Sequence, residues 1–214
     1  MSGLDAAAWF ARLERGEREL GLDEGFKLLY SPWSLIGNAP LALLSLNPGA
    51  KIPHGEAARL VSDERGNTYA AEREKARSPI SEQFFALCEM IGVDPEDVLT
   101  GVAIPYRSRS WSALTPAQRQ GGRAIGLDFW RAAFAIAPCR SIIVCGAEAA
   151  RLVVRATEAR EIARLPSGWG KVQLRHYRDP RGRLIVHLPQ LSRFQLFSRA
   201  ECAPHLSHAF GGVL

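Results

Sequence analysis

Two runs of this chain are apolar at nearly every position over the length of a strand, and both end the same way. One is LALLSLNPGA at residues 41–50; the other is LIVHLPQLSR at residues 184–193. A strand that faces solvent alternates apolar with polar residues. A continuous apolar run of this length is buried on both faces, as in a parallel sheet covered by helices. Each run stops at a proline inside a polar turn. In an open α/β sheet the polar groups at the carboxyl ends of the strands build the site. That places Leu46, Asn47, Pro48, Gly49 and Ala50 at one candidate edge, and His187, Leu191, Ser192 and Arg193 at the other.

The rest of the chain fits such a sheet. Its 214 residues suffice for one core, so a single domain over residues 1–214 is expected. Residues 5–20 read as an amphipathic helix anchored by Trp9, Phe10, Leu13 and Leu20 and stopped by Gly21. Residues 26–30 are apolar and are broken by Pro32, and residues 41–46 form a buried strand. Residues 51–77 are polar, charged and poorly periodic, which reads as a long loop. Ser78-Pro79 opens a helix carrying Phe84, Leu87, Cys88 and Ile91 on one face, and Gly92 ends it. Residues 98–104 form a strand closed by Pro105. Thr115-Pro116 starts a helix with a stripe of Ile125, Phe129, Ala132, Ala133 and Ile136. Strand 141–145 turns at Gly146 into helix 147–157. Residues 172–177 and 183–187 flank the turn sequence Asp179-Pro180-Arg181-Gly182, and residues 198–210 form a last helix interrupted near Pro204. The expected fold is a three-layer α/β/α domain with a central, mostly parallel sheet.

Several functions are disfavoured. No apolar run approaches the roughly 20 residues that span a bilayer, so no membrane association is expected. Asp5, Glu14, Glu17 and Glu19 do not match a signal peptide, and a cytoplasmic location follows as the default. Cys88, Cys139, Cys145 and Cys202 form no C-x-x-C pair and lie in or beside apolar segments, so they read as buried hydrophobes and no metal site is expected. The phosphate-binding P-loop, the G-x-S-x-G elbow and the H-E-x-x-H pair are absent, and the glycines of 121–126 follow no strand. The net charge is +5, with arginines grouped as Arg107, Arg109, Arg119 and Arg123 and as Arg175, Arg178, Arg181, Arg183 and Arg193. If both groups flank one cleft they make a phosphate-backbone surface; otherwise they are solvated charges. Trp111, Trp130 and Phe134 read as core or rim.

Leu44-Ser45-Leu46-Asn47-Pro48-Gly49 resembles the G-[IM]-N-P-G motif of the uracil-DNA glycosylase superfamily, in its mismatch-specific and single-strand-selective branches. His187-Leu188-Pro189-Gln190-Leu191-Ser192-Arg193 is similar to the second motif of those enzymes, H-P-S-P-L-S or N-P-S-G-L-S-R. Tyr30-Ser31-Pro32-Trp33 resembles their Y-N-P-L segment, and Ile142–Gly146 with Ala149-Ala150 their I-V-x-x-G-x-x-A strand and helix. The resemblance implies a monomeric DNA glycosylase that uses no cofactor or metal. Asn47 would position water and a neutral His187 would stabilise the departing base. Leu191 would enter the vacated stack, with Ser192 and Arg193 on phosphates or the opposite strand, and Tyr69 or another aromatic of the long loop would offer a stacking face. The chain departs from the pattern at Ser45, at Leu188, Pro189 and Gln190, and at Gly101, which stands where the superfamily often has a base-reading asparagine. Without that amide, discrimination for uracil should weaken. Two other readings stay open: a nucleic-acid-binding protein of the same fold without turnover, and a small-nucleotide-binding α/β protein. Taken alone, Asn47-Pro48-Gly49 is also an ordinary turn, His187 a satisfied strand-end histidine, and Leu191 a packing residue.

Overall fold

The two apolar runs become strands of one sheet with a third strand between them. The computed structural model describes residues 4–49, 58–75 and 78–211. In chain order the elements are α1 (Ala6–Glu19), β1 (Phe26–Lys27), β2 (Leu41–Ser45), β3 (Arg59–Leu60), α2 (Thr68–Lys75), α3 (Pro79–Ile91), β4 (Val98–Val102), α4 (Pro116–Ile136), β5 (Ser141–Cys145), α5 (Ala147–Thr157), β6 (Arg160–Pro166), β7 (Gln173–Arg178), β8 (Leu184–Leu188), α6 (Leu191–Phe194) and α7 (Ala203–Phe210). The main sheet has the order β4-β2-β5-β8-β7-β6. Its first four strands are parallel, while β7 runs antiparallel to β8 and β6 to β7. The fold is therefore mixed α/β around a mostly parallel sheet.

Burial on both faces follows from the strand sequences. Ala42, Leu44, Ile142, Val144 and Ile185 point into one cluster, together with Trp9, Leu13, Phe129, Trp130 and Val153 from α1, α4 and α5. Leu41, Leu43, Ile143, Cys145, Val186 and Leu188 point into the other, with Phe84, Leu87, Leu191 and Leu206 from α3, α6 and α7. All four cysteines are free and buried, as their apolar settings suggested. The helix starts are capped: Ser78 accepts from Ser81 as its place before Pro79 suggested, and in addition Asp5 accepts from Ala7 and Ala8 and Thr115 forms a capping box with Gln118.

Three expectations need correction. Residues 51–77 are not one loop, because β3 and α2 lie within them and β3 pairs in parallel with β1. Polar composition hid α2; its Tyr69 is one of the few apolar contacts it makes with the core. The stripe on α4 is displaced: Phe129 and Ala133 are buried with Leu127, Trp130 and Phe134, whereas Ile136 is 55% exposed. The strand β6 was missed, since it is an edge strand with five of its seven positions exposed and lacks the continuous apolar run of a core strand. Among the described residues, no helix is long and apolar enough to cross a membrane.

Candidate functional site at the carboxyl edge of the sheet

Connectivity creates a gap at the carboxyl edge. From β2 the chain crosses to β4 on one side, then returns to β5 on the other, so the order reverses between β2 and β5. Pairing between these two strands ends at Leu44 and Val144. Beyond that point the loops separate into two couples. After β2 and β4, Ala103 donates to the Ser45 carbonyl at 2.8 Å, Ile104 to Leu46 at 2.9 Å, and Ser108 to Pro48 at 3.2 Å. After β5 and β8, the Gly146 amide donates to the Leu188 carbonyl at 2.8 Å. A crevice at such a reversal is the usual place for a ligand in an open α/β sheet.

Asn47 stands on the β2 side. Its Nδ2 donates to Ser108 Oγ at 2.9 Å and to the Pro48 carbonyl at 3.1 Å. A carbonyl oxygen only accepts, so the contact with Pro48 fixes which end of the amide is nitrogen. Oδ1 faces no protein donor among the described residues. Arg107 holds the same turn from below. Its Nη1 donates to the Gly49 carbonyl at 3.1 Å and its Nε to the Ala58 carbonyl at 3.0 Å, bridging the two described ends that flank residues 50–57. Arg107 is 4% exposed, and its other terminal nitrogen is buried without a partner. Burial lowers its pKa. Ala50 lies outside the described residues.

On the other couple, Gly146 adopts φ +92°, and a Cβ there would come within 3.1 Å of Gln190 Oε1. Glycine thus lets the start of α5 approach the second motif closely. Gln190 Nε2 donates to Ser192 Oγ at 3.3 Å, and exposed Arg193 lies over the Phe194 ring at 5.8 Å. His187 is not in the turn. It is the fourth residue of β8, opposite Val144 of β5 and Arg175 of β7, on the face toward α5. Burial lowers its pKa to about 4, with Arg175 and Arg151 acting in the same direction. Its Nδ1 is buried without a partner, so the neutral tautomer that leaves the proton on Nε2 avoids an orphaned buried donor.

The remaining expected residues are placed differently from the open roles read in the sequence. Leu191 is fully buried in the cluster beneath α3 and α7, so in this conformation it packs and presents no wedge. Tyr69 is 2% exposed, with its ring against Tyr30 at 5.2 Å and Phe84 at 5.3 Å and its hydroxyl 3.4 Å from Ser45 Oγ. No face of that ring is free to stack. Gly101 is enclosed in β4: a Cβ would meet the Leu28 carbonyl at 2.9 Å and Trp130 at 3.0 Å, so the position serves close packing. Leu46, Pro48 and Gly49 share the turn of Asn47 beyond the end of β2, with Pro48 buried and Gly49 exposed. Asn47 and His187 stand on opposite sides of the β5 end, with no hydrogen bond between them.

Not all of the grouped arginines are free surface charges. Arg183 is buried in a pair with Asp179 at 2.6 Å, and both Arg181 and Arg183 cap the Phe134 carbonyl at the end of α4. With Arg107 also inside, three of the nine have structural duties. Sequence reasoning missed Ser108, for which no local signal exists, and the bracing role of Arg107. It also missed a buried pair behind the site. Lys27 Nζ meets Asp63 at 3.1 Å and Thr68 at 2.7 Å, 4.7 Å from the centre of the Tyr30 ring. Burial pushes the Asp63 carboxyl up, but hydrogen bonds from Arg65, Lys27 and Thr68 outweigh it and hold the group well below the usual range. Among the described residues no cluster of three histidine, cysteine or acidic side chains is arranged to hold a metal ion. No family model matches the chain, and a search of the curated proteins finds no match.

Proposed function

We propose that the chain is a uracil-DNA-glycosylase-like protein that hydrolyses the N-glycosidic bond of a deaminated or damaged base in DNA. One observation carries this reading: at the strand-order reversal, the Asn47 amide nitrogen is tied to Ser108 and Pro48, which leaves Oδ1 as a fixed, uncharged acceptor at the crevice. Such an acceptor suits a water aimed at a sugar carbon. Water oxygen bonds to C1′, the C1′–N bond breaks, and the base leaves with the bonding pair and takes up the proton. Asn47 orients the water without taking its proton. A neutral His187 adds no positive charge beside the cationic sugar, and its Nε2–H would serve as the donor to the base. Gly49, exposed at the turn, lets backbone approach the nucleotide.

A second reading, nucleic-acid binding without turnover, is favoured by the burial of Leu191 and Tyr69 and by the place of His187 inside its strand. One assay separates them. The protein is incubated with labelled oligonucleotides containing uracil, hypoxanthine, xanthine or a G·T mismatch, and abasic sites are then cleaved with alkali. Cleaved product that falls on the order of 10²-fold in Asn47→Ala, with DNA affinity unchanged, establishes the glycosylase. Binding without product from any base establishes the second reading.

A further inference from the structure

A groove of about 580 Å³ runs between α4 and α5, on the sheet face away from α3. Both helices leave the carboxyl edge and run toward the other edge, so they lie parallel. The pairing of Arg123, two turns into α4, with Glu148 in the first turn of α5, and the packing of Leu127 and Leu152 a turn later, set their register. Four arginines line the groove, Arg123 and Arg131 on α4 and Arg151 and Arg155 on α5. Its two carboxylates are already engaged: Glu148 accepts from Arg123 at 2.7 Å and from Arg151, and Asp128 accepts from Arg12 of α1. Arg131 and Arg155 are exposed and have no ion pair among the described residues. Facing like charges on neighbouring helices repel, and an anion between them would relieve that cost.

The spacing selects the class of anion. Arg123 and Arg131 are about 12 Å apart along α4, and Arg151 and Arg155 about 6 Å along α5, at 1.5 Å rise per residue. The charges are strung along the groove and do not converge on a point, which suits a chain of phosphates better than one small anion. At its upper end the groove reaches toward β8: Arg151, paired with Glu148, and Arg175, opposite His187 and paired with Glu161, both act on that histidine. We infer that the α4–α5 groove binds the phosphate backbone of a nucleic-acid strand, extending the interface from the carboxyl edge down the helical face. The class of partner rests on the proposed function; the groove itself rests on the arginines.

The test is fluorescence anisotropy with a labelled oligothymidine single strand over a salt series. The Arg131→Ala/Arg155→Ala variant should bind about tenfold more weakly near physiological salt. Its plot of log affinity against log salt should flatten by about 1.4, the loss of two phosphate contacts on a single strand. A control that removes the same charge elsewhere, Arg18→Ala/Arg140→Ala, should leave that slope unchanged. All four positions are exposed, so thermal melts should coincide with that of the parent. Equal effects of the two variants, no effect of either, or absence of oligonucleotide binding would overturn the inference. So would saturation by tripolyphosphate of a groove that ignores the oligonucleotide. A flattened slope in a protein that yields no abasic product would sink the glycosylase reading and leave this one standing.

Discussion

The turns after β2 and β8 begin alike, with an apolar strand running into a proline, and they end differently. After β2 the chain stays open. Leu46, Asn47, Pro48 and Gly49 are held by groups from elsewhere, namely Ile104, Ser108 and Arg107. After β8 it coils at once into α6, and its bonds are local: Arg193 and Phe194 donate to Gln190, and Gln195 donates to Leu191. The difference lies in the residues after the proline. In the first motif Pro48 is followed by Gly49, which has no side chain to draw the turn inward. In the second, Leu191 carries a side chain whose burial stabilises the fold by about 2 kcal/mol and draws the backbone into a helical turn over the core. Similar motifs thus yield one open, borrowed scaffold and one closed, self-supporting one.

The largest test of that contrast is Leu191→Ala. A fully buried leucine replaced by alanine should cost about 3 kcal/mol in urea unfolding, since transfer and cavity terms add. A loss under about 1 kcal/mol would show that α6 is loosely seated and that Leu191 is free to act as a wedge after all.

Next comes pH. His187 titrates near 4 in the fold against an ordinary value of 6.5, so the fold favours its neutral form. The stabilisation from that preference is complete above about pH 6.5 and is lost as pH falls toward 4, on the order of 2 kcal/mol. His176, lowered by burial, acts in the same direction, so the comparison must be between the parent chain and His187→Gln. The variant should lose markedly less stability between pH 7 and pH 4.5. Parallel stability curves would place His187 in water and remove the buried environment argued for the β8 end. The β2 turn, whose crevice groups are amides and hydroxyls, should contribute no such dependence.

Much of the scaffold was legible because its signals are local. Continuous apolar runs marked β2, β5 and β8, an amphipathic stripe marked α1, Ser78-Pro79 and Thr115-Pro116 marked the starts of α3 and α4, and the Asp179–Gly182 turn marked the β7–β8 hairpin. What escaped depends on contacts distant in sequence. The polar helix α2 is fixed by Tyr69 inserting between Tyr30 and Phe84, and β6 by pairing along β7. The site was half legible for the same reason. Position and residue type pointed to Asn47, but its orientation comes from Ser108, 61 residues away, and the support of its turn from Arg107. Arg107 and Arg183 looked like surface charge because a sequence does not reveal that a guanidinium will find backbone carbonyls inside.

Ser108→Ala probes the borrowed scaffold. Ser108 is 5% exposed and its hydroxyl accepts from Asn47 at 2.9 Å, so its loss leaves a half-buried amide short of a partner. The expected cost is about 1 kcal/mol by urea unfolding. If the proposed hydrolysis holds, turnover should drop about tenfold through loss of Asn47 orientation while DNA affinity is kept. Intact turnover would mean that Pro48 alone orients the amide.

The smallest effect is expected from the same substitution at the other end. Ser192 is half-buried and accepts from Gln190 Nε2 at 3.3 Å, a long bond between neighbours two residues apart. Water can replace it on both sides, and α6 keeps its backbone bonds and the Leu191 anchor regardless. Ser192→Ala should therefore change stability by no more than about 0.5 kcal/mol. Measured beside Ser108→Ala, it compares serine with serine and hydroxyl with methyl, so only the setting differs. A clear gap between the two supports a β2 turn that depends on side chains from the loop after β4 and a β8 turn that has no such dependence. Equal losses would mean that α6 also relies on its polar contacts, and the division drawn between the two strand ends would fail.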